Sequence, residues 1–508
     1  MFTVGGFTLM SRLLGFVRDI SIASYIGAGA MGDVWVAAFR LPNLFRRIFG
    51  EGAFNSAFVP MYSRRLEEDG DEIADLFARR VISVMSVILI TLFILCFIFM
   101  EPVIRVMNWG FAEDGRLEPA VNASRVTIVY LIFICLVAAF SAILNSRRVF
   151  GAPAFAYVVL NIIFIAALFI IIPRTGDPLK VLTWTVVVAG VCQLSVVVVA
   201  CIRRGIKIAP RLPVVDDDIK RLGILMAPGL VSAGIQQINL VIGQTVASLQ
   251  LGGQSLIYYS DRINQLPLGL IGMAAGVVLL PEISRNLRAG DSGAAKSSMA
   301  KGMEISMLLC LPAMVAMLVI PREIMFAIFE GGKFKPEDAI QAGWVLCAFA
   351  TGTPAYVLAK VLQPGYFAHE NTKTPMKFTI ASAVVNMLLC WPLFKLLGAA
   401  GCALATSVAG WVNVGLLWFG LRGMDFLGLP KGFFSRLGRM LLSASLMGAV
   451  VWGLSLYAHD WIFAAGQRVS RLSVLGVMVL IGVIVYFLFI FATRVFTISE
   501  LKKVLRRG

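Results

Sequence analysis

Apolar segments about 20 residues long recur along the whole chain, and they restrict its fold more than any other feature. A segment of that length crosses a bilayer as a helix, because a helix pairs its backbone polar groups internally. The sequence contains fourteen of them, at residues 3–27, 32–58, 81–104, 123–145, 153–173, 181–202, 222–249, 255–281, 303–320, 340–362, 376–396, 399–421, 437–457 and 472–493. The pattern therefore predicts an all-α polytopic membrane protein with about 14 transmembrane helices.

Composition and charge agree with this class. Only 15% of the 508 residues are charged, whereas soluble proteins carry roughly 25%. The net charge of +16 would indicate nucleic-acid binding in a soluble protein, but cytoplasmic loops of membrane proteins are rich in Lys and Arg, so no nucleic-acid partner is predicted. This bias, which includes Arg79 and the tail residues Lys502 and Lys503, predicts that both termini are cytoplasmic. Arg12 and Arg18 interrupt the first segment, which is therefore predicted to be a retained span and not a signal peptide.

Proline positions suggest an internal repeat. Three marks recur after 221 to 225 residues, namely Leu41-Pro42 with Leu266-Pro267, Pro60 with Pro281, and Pro153 with Pro375. Since six spans separate the copies, the two lobes have the same orientation, as in transporters whose substrate site lies between parallel repeats. We predict an N-lobe over 1–215, a C-lobe over 216–425, and two extra spans with a cytoplasmic tail over 426–508.

Charged side chains inside the apolar segments are the strongest functional signal. A charge at bilayer depth costs about 2.5–3.5 kcal/mol on insertion scales, so such residues usually face a wet interior and have a function. Cations outnumber acids in this set, which predicts a site for an anion, and the planar guanidinium suits phosphate. The set consists of Arg12, Arg18, Asp19, Asp33, Arg40, Asp261, Arg262 and Lys360.

The first span presents these charges on one side. At helical spacing Ser11 lies on the same face as Arg18, and Arg12 lies on the same face as Asp19, so the four form one polar arc. A structural ion pair of Arg18 or Arg12 with Asp19 or Asp33 is the simpler alternative for part of this set. Long cationic side chains such as Arg40 and Lys360 also reach the interface by extending along the helix, which leaves both interpretations open for them.

Signatures of enzymes and metal sites are absent from the sequence. The eight cysteines form no C-x-x-C pair, and His369 and His459 lie in separate loops. The sequence contains no P-loop, no G-x-S-x-G and no H-E-x-x-H motif. We therefore predict that the protein is not an enzyme and has no cofactor or metal.

Several longer motifs carry a family resemblance. The motifs are SRLLGFVRD at 11–19, GDVWVAAFRLPNLFRRIFGEGAF at 32–54, AFVP at 57–60, YYSDR at 258–262 and AKVLQPGYFAHENTKTP at 359–375. In these motifs the chain closely resembles the MurJ (MviN) family of bacterial lipid II flippases, a branch of the multidrug/oligosaccharidyl-lipid/polysaccharide exporter superfamily. The resemblance extends along essentially the whole chain.

This resemblance implies a fold and a mechanism. It implies two six-helix lobes around a V-shaped central cavity, an apolar groove for the undecaprenyl tail on helices thirteen and fourteen, and alternating access in the bacterial inner membrane. The predicted substrate-binding residues, with the cavity cations first, are Arg12, Arg18, Arg262, Lys360 and Ser11. The predicted gating or structural charges are Asp19, Asp33, Arg46, Arg47, Glu51 and Asp261.

Two departures from the family pattern affect these expectations. The family often carries an acid three residues after the span-eight arginine, where this chain has Gln265, so a gating ion pair through that acid is not expected. Residues 222–250 and 376–421 contain no Asp or Glu, which argues against the carboxylate sodium site that some members have.

Lipid II, the undecaprenyl-pyrophosphate-linked disaccharide pentapeptide, is therefore the predicted partner, together with membrane lipids; cell-wall synthesis proteins stay open as partners. The alternatives are a flippase for another polyprenyl-linked sugar, a drug or metabolite antiporter of the same superfamily, and a scaffolding membrane protein. An antiporter that exports cations needs an acidic cavity, and the excess of cations argues against it.

Overall fold

The structure is a computed structural model that describes residues 2–48, 54–209, 211–274, 279–463, 468–493 and 495. Throughout these ranges the regular elements are helices, and the exception is an isolated antiparallel bridge between Gly331 and Phe334. The all-α prediction is confirmed.

The chain divides into two compact units, residues 1–255 (unit 1) and 256–508 (unit 2). The predicted boundaries of the lobes, at 215/216 and 425/426, concern a different division and stay predictions. The helix at Asp217–Ala247, which follows residue 216, packs within unit 1 against the helices at Ala30–Ile48 and Phe54–Glu68.

Unit 1 begins with an apolar helix and continues with the second and third predicted spans. Its helices are α1 (Phe2–Ile26), α2 (Ala30–Ile48), α3 (Phe54–Glu68), α4 (Asp71–Ile98), α5 (Met100–Met107), α6 (Leu117–Thr127), α7 (Tyr130–Ser146), α8 (Gly151–Ala166), α9 (Ile172–Thr175), α10 (Pro178–Arg203) and α11 (Asp217–Ala247). A 3-10 turn lies at Trp109–Ala112, and a π-helical turn at Ala167–Ile171 joins α8 to α9.

Unit 2 begins within the helix at Gly253–Ala274, because the division between the units falls in the first turn of that helix. Its helices are α12 (Gly253–Ala274), α13 (Leu280–Arg288), α14 (Ser292–Val319), α15 (Pro321–Phe329), α16 (Pro336–Ala350), α17 (Thr353–Phe367), α18 (Lys373–Leu397), α19 (Ala399–Gly423), α20 (Phe433–Tyr457), α21 (His459–Ile462) and α22 (Arg468–Ala492).

Among the described residues, ten helical stretches are long and apolar enough to cross a membrane. Four further helices, α1, α2, α11 and α12, have 19 to 31 residues and coincide with predicted spans one, two, seven and eight. Charged side chains interrupt α1, α2 and α12, which lowers their apolar character. The count of fourteen spans stays a prediction, whereas the multi-pass helical architecture is confirmed.

Two short segments, near 290–300 and 322–331, are predicted from the sequence to be interfacial pieces, too short or too polar to span. Most of the first forms the start of α14. The second forms α15, whose residues from Ile324 to Phe329 are buried. Helix α15 packs against α16 and α22, so it is part of the core of unit 2, and its depth in a membrane stays a prediction.

Helix α22 is joined to the rest of unit 2 by charged residues. Arg471 is 1% exposed and forms a salt bridge with Glu330. Arg468 donates hydrogen bonds to the carbonyl oxygens of Phe329 and Glu330 at 3.1 and 2.8 Å. Since a buried guanidinium is costly without a paired acid, this contact fixes where α22 lies on unit 2.

The segment between α10 and α11 is bound to α3 and α4 of unit 1 by side-chain contacts. Arg65 pairs with Asp218 at 2.5 Å and Arg80 pairs with Asp216 at 2.6 Å. The buried carboxylate of Asp75 accepts a hydrogen bond from the backbone N–H of Lys207 at 2.9 Å. These contacts hold the beginning of α11 beside the polar ends of α3 and α4.

Candidate functional site

The two charges in the middle of α1 form a buried ion pair. The Nε and Nη2 atoms of Arg18 donate to Oδ1 of Asp19 at 3.0 and 2.8 Å. Arg18 is 8% exposed and Asp19 3% exposed. Of the ion pairs that the sequence left open, the structure shows this one, between neighbours in the chain.

An aromatic group supports the same guanidinium. The guanidinium carbon of Arg18 lies 5.4 Å from the centre of the Phe164 ring on α8. Edge-to-face contacts link Phe164 to Trp35 and Phe39 of α2, with centroids 6.0 and 6.3 Å apart. Trp35 and Phe39 stack on each other at 5.3 Å. Arg18 therefore has a carboxylate as one neighbour and a packed ring as another.

One turn earlier, α8 contacts α1 through Asn161. Its Nδ2 atom donates to the carbonyl oxygen of Ser11 at 3.0 Å and to the Ser11 hydroxyl at 3.3 Å. A Cβ atom at Gly15 would lie 3.6 Å from Oδ1 of Asn161, which is ordinary contact. Ser11 thus contributes to helix packing here, while Arg12 on the same turn is exposed. Asn161 was not predicted, because a single amide in an apolar span gives no signal in the sequence.

Asp33 of α2 is fully buried and is held by four donors. Its Oδ1 atom accepts from the backbone N–H and the hydroxyl of Ser255 at 2.9 and 2.8 Å. Its Oδ2 atom accepts from the N–H of Gly252 at 2.8 Å and from Nη1 of Arg116. Asp33 therefore pairs with Arg116, and not with Arg12 or Arg18 as the alternative interpretation allowed.

Gly252 is needed at this point for steric reasons. Its φ of +80° lies in the left-handed region, and a Cβ atom there would lie 2.2 Å from the carbonyl oxygen of Ala28. A side chain at 252 would push the loop away and weaken the N–H contact with Asp33. The loop before α12 and the start of α2 are thus held together by one carboxylate.

Arg116 extends this buried network. Its Nε atom donates to both carboxylate oxygens of Asp114 at 2.8 and 2.7 Å, and Nη2 donates to the carbonyl oxygen of Ser248 at 2.7 Å. Partial burial alone raises the pKa of Asp114, but hydrogen bonds and the charge of Arg116 outweigh it and lower that pKa. The sequence gives no reason to pair Arg116 with Asp33, 83 residues away.

Arg40 lies seven residues after Asp33, on the same face of α2. Among the described residues it forms no salt bridge with a carboxylate. Its Nη1 atom donates a long hydrogen bond to Oδ1 of Asn108 at 3.5 Å. Its Nε and Nη2 atoms are buried without a hydrogen-bond partner among the described residues. The same Asn108 oxygen accepts from Nε2 of Gln254 at 2.7 Å. Arg40 thus lies in a polar but acid-poor part of unit 1.

The cationic end of α2 is less enclosed. Nε of Arg46 donates to Oδ1 of Asn43 at 2.8 Å, and both Arg46 and Arg47 are half-buried. Glu51, the acid predicted to accompany them, lies outside the described residues. The roles predicted for these three residues stay predictions.

Unit 2 carries its own charged pair on α12. Nη2 of Arg262 donates to the hydroxyl of Tyr258 at 2.9 Å, and its guanidinium carbon lies 4.7 Å from the centre of that ring. The preceding residue, Asp261, accepts a hydrogen bond from Nε2 of Gln265. Gln265, where the family often has an acid, thus meets Asp261 with a neutral amide. Lys360 lies exposed on α17.

Polar contacts in the core of unit 2 set the orientation of α12. The Thr353 hydroxyl donates to Oδ1 of Asn264 at 2.6 Å, and the Ser260 hydroxyl donates to the carbonyl oxygen of Ala342 at 2.8 Å. Tyr259 is buried against Phe329, with ring centroids 5.2 Å apart. Because these residues face the core, Asp261 and Arg262 lie on the more open side of the helix. None of the described residues forms a cluster of three or more acids, histidines or cysteines suited to a metal.

Comparison with known proteins relates these features to one family. The family profile described as "Lipid II flippase MurJ" matches residues 22–469. A protein of Rhizobium tropici named "Probable lipid II flippase MurJ" is 39% identical over 513 residues, covering 99% of this chain and 96% of that protein. A Burkholderia cenocepacia protein named "Lipid II flippase MurJ" is 30% identical over 498 residues, covering 96% of this chain and 95% of that protein.

Solved structures give the same result. A structure described as "Lipid II flippase MurJ, inward closed conformation" matches with a TM-score of 0.80 at 26% identity, over 96% of this chain and 98% of that one. A multidrug resistance MATE transporter in an inward-facing conformation matches with a TM-score of 0.71 at 15% identity, over 84% of this chain and 98% of that one, which shows a shared fold alone. On the sequence profile, the curated relatives and the fold together, the chain belongs to the MurJ family of lipid II flippases.

Proposed function

We propose that this protein moves lipid II from the cytoplasmic to the periplasmic leaflet of the bacterial inner membrane by alternating access, with both termini in the cytoplasm. One observation carries the proposal beyond family membership. In each unit an arginine from a family motif is next in the sequence to an aspartate, and its guanidinium lies near an aromatic ring: Arg18 with Asp19 and Phe164, and Arg262 with Asp261 and Tyr258. Guanidinium groups kept charged at bilayer depth suit a lipid that carries a pyrophosphate.

The substrate residues follow from this chemistry. Arg12, Arg18 and Arg262 bind the pyrophosphate, while Lys360 and Ser11 contribute to the polar surface that receives the sugar–peptide head group. Arginine is suited to this role because its planar fork makes paired, charge-assisted hydrogen bonds to phosphate oxygens. The polyprenyl tail stays in the lipid, and no covalent bond is made or broken.

Asp19 has a defined place in this cycle. In the absence of substrate its carboxylate neutralises Arg18 inside the apolar helix. A pyrophosphate carries more negative charge than one carboxylate, so it competes with Asp19 for the guanidinium. A ligand shifts a conformational equilibrium only by binding one conformation more tightly than the other, so this exchange must be more favourable in one of the two conformations.

Two other functions keep a place as alternatives. A flippase for a different polyprenyl-linked sugar would use the same arginines, since the pyrophosphate is common to both lipids. A drug or metabolite antiporter shares the fold, but exported cations would be repelled by Arg12, Arg18 and Arg262. The described charges therefore favour an anionic lipid.

Complementation distinguishes these functions. We expect the chain to restore growth to a bacterium depleted of its own lipid II flippase, and to lower the accumulated cytoplasmic-leaflet lipid II. In reconstituted vesicles it should move lipid II faster than a polyprenyl-pyrophosphate that carries an unrelated sugar. If the chain reaches normal membrane abundance but does not restore growth, or if both lipids move at equal rates, the assignment to lipid II is contradicted.

A further inference from the structure

We propose that Phe164 in unit 1 and Tyr258 in unit 2 are positioning residues for the flippase reaction. Each ring holds the guanidinium of a substrate-binding arginine, Arg18 or Arg262, in the orientation in which it binds the pyrophosphate. The inference rests on the function proposed above. It assigns a role to two aromatic residues that charge patterns in the sequence do not reveal.

The contact in unit 1 is built from packed elements. Phe164 is fully buried, and its ring lies 5.4 Å from the guanidinium carbon of Arg18. Trp35 and Phe39 touch its other edges, so the ring has little freedom to turn away. One turn earlier, Asn161 binds the backbone of α1 at Ser11. Helix α8 therefore fixes the position of α1 along the axis of α8 and also the position of the Arg18 guanidinium.

A ring serves a binding arginine better than a second acid would. The face of an aromatic ring attracts a cation through its quadrupole, at roughly 0.5–2 kcal/mol depending on solvation, but carries no net charge. Asp19 already neutralises the guanidinium, so a second carboxylate would make the site net negative and would compete with an incoming phosphate. The ring thus restrains Arg18 without adding negative charge that would repel the substrate.

Unit 2 repeats the arrangement with different residues. Tyr258 lies one turn before Arg262 on α12, with its ring 4.7 Å from the guanidinium carbon and its hydroxyl accepting from Nη2 at 2.9 Å. The neighbouring Tyr259 is buried in the core and packs on Phe329 and Phe334. Of the two tyrosines, Tyr258 therefore serves the arginine and Tyr259 serves the fold.

Fluorinated phenylalanines at position 164 test the electrostatic part of this proposal. Each added ring fluorine weakens the attraction for a cation while the shape of the side chain barely changes. We expect the dissociation constant for lipid II, measured with the full chain in nanodiscs, to rise stepwise to between about two- and thirtyfold, at unchanged membrane abundance. A purely structural role predicts no dependence on fluorine number and would overturn the proposal.

The chain offers a matched control on the same helix. Phe155 packs on Phe7, with centroids 5.5 Å apart, at a distance of nine residues from Phe164. The same fluorinated series at Phe155 should leave lipid II affinity unchanged. Equal effects at the two positions would show that the loss comes from general packing, and would also contradict the proposal.

Tyr258 gives a second, independent test. Tyr258→Phe keeps the ring face and removes the hydroxyl, whereas Tyr258→Leu removes both. We expect Tyr258→Leu to weaken lipid II binding severalfold more than Tyr258→Phe. Equal losses in the two variants would show that the ring face contributes nothing to holding Arg262.

Arginine variants separate a failure of this inference from a failure of the proposed function. Arg18→Lys and Arg262→Lys should each weaken lipid II binding, because an ammonium loses the paired hydrogen bonds. If they bind lipid II as the parent does, the substrate role of the arginines is wrong. If both lysine variants bind lipid II weakly but fluorination of Phe164 leaves the dissociation constant unchanged, the substrate role of the arginines stands and the positioning role of the ring is wrong.

Discussion

At the scale of single residues, the buried charges of unit 1 fall into two groups. Asp33 and Arg116 are enclosed by hydrogen bonds from several elements, as expected of a structural centre. Arg18 and Asp19 are equally buried but are next to each other on one helix, and they face an aromatic group. The first pair holds segments together, whereas the second joins neighbouring residues of one helix.

Arg18 and Asp19 allow stability and substrate binding to be measured separately. Arg18→Ala leaves Asp19 buried without this partner, and such a loss costs about 3–5 kcal/mol, so membrane abundance should fall. Arg18→Ala/Asp19→Ala removes both charges and should restore abundance but not growth in the complementation assay. If the double variant restores growth, Arg18 has only a structural role.

Asp33 should tolerate no change of charge. Asp33→Asn leaves Arg116 without its buried acid, and we expect about 3–5 kcal/mol of destabilisation, seen as a lower melting temperature of the purified protein. Asp114→Asn is the matched control, since Asp114 also pairs with Arg116 but its side chain is 36% exposed. Similar melting temperatures for the two variants would show that burial of the pair contributes little.

Arg40 should behave in the opposite way. Because its Nε and Nη2 atoms lack hydrogen-bond partners among the described residues, Arg40→Gln removes a poorly compensated charge from the interior. The melting temperature should stay the same or rise. A fall as large as that of Asp33→Asn would mean that Arg40 has a stabilising partner in the native membrane.

How far the sequence predicts these residues depends on the distance between partners along the chain. Helical spacing was enough to place Arg18 and Asp19 on a polar side of α1, and the structure pairs them. It was not enough to pair Asp33 with Arg116, because that contact depends on how a loop folds back after 83 residues. Asn161 and Phe164 were missed because an amide and a phenylalanine are ordinary residues in a span.

At the scale of elements, the apolar pattern predicts helix positions well because bilayer thickness sets their length. The predicted spans at 399–421 and 437–457 correspond to α19 (Ala399–Gly423) and α20 (Phe433–Tyr457). Polar extensions are less well predicted, since they depend on tertiary contacts. The start of α14 and the segment between α10 and α11, which side-chain contacts bind to α3 and α4, are both of this kind.

Ion pairs between α4 and the beginning of α11 give an element-scale prediction. Arg80→Asp places two acids together and should loosen the segment between α10 and α11, seen as faster tryptic cleavage after Arg203 or Arg211. Arg80→Asp combined with Asp216→Arg restores opposite charges and should slow cleavage again. Pairs of this exposure contribute about 0.2–1 kcal/mol, so folding should survive each change.

The control lies on the neighbouring helix. Arg64 and Glu68 form an exposed pair within α3, and their side chains are 66% and 56% exposed. Arg64→Asp should leave the cleavage rate of the α10–α11 segment unchanged. Faster cleavage in this variant as well would show that net charge, and not the specific pair, controls access.

At the scale of the whole molecule, the parity of the spans determines the topology. With the N-terminus predicted to be cytoplasmic, the seven predicted spans before Gly252 place this segment on the outer side. A reporter that is active only in the cytoplasm should therefore be active when fused after Gly508 and silent after Gly252. Activity after Gly252 would contradict the predicted orientation and the parallel repeat.

Sodium dependence is a second property of the whole molecule. Residues 222–250 and 376–421 contain no carboxylate, and hard cations in proteins are held mainly by oxygen ligands that include carboxylates. Transport in vesicles should proceed equally with sodium or potassium outside and inside. A saturable requirement for sodium would show that neutral oxygens such as those of Asn386 and Thr406 suffice.

The proline inside α2 has a mechanical consequence. Pro42 has no N–H group, so the helix loses a backbone hydrogen bond there and bends more easily. The four hydrogen bonds on Asp33 hold the first part of α2 in place, while Arg46 and Arg47 lie beyond the proline. Helix α2 therefore has a fixed end and a point of easier bending. Its far end, with two positive charges, can move while the hydrogen bonds on Asp33 stay intact.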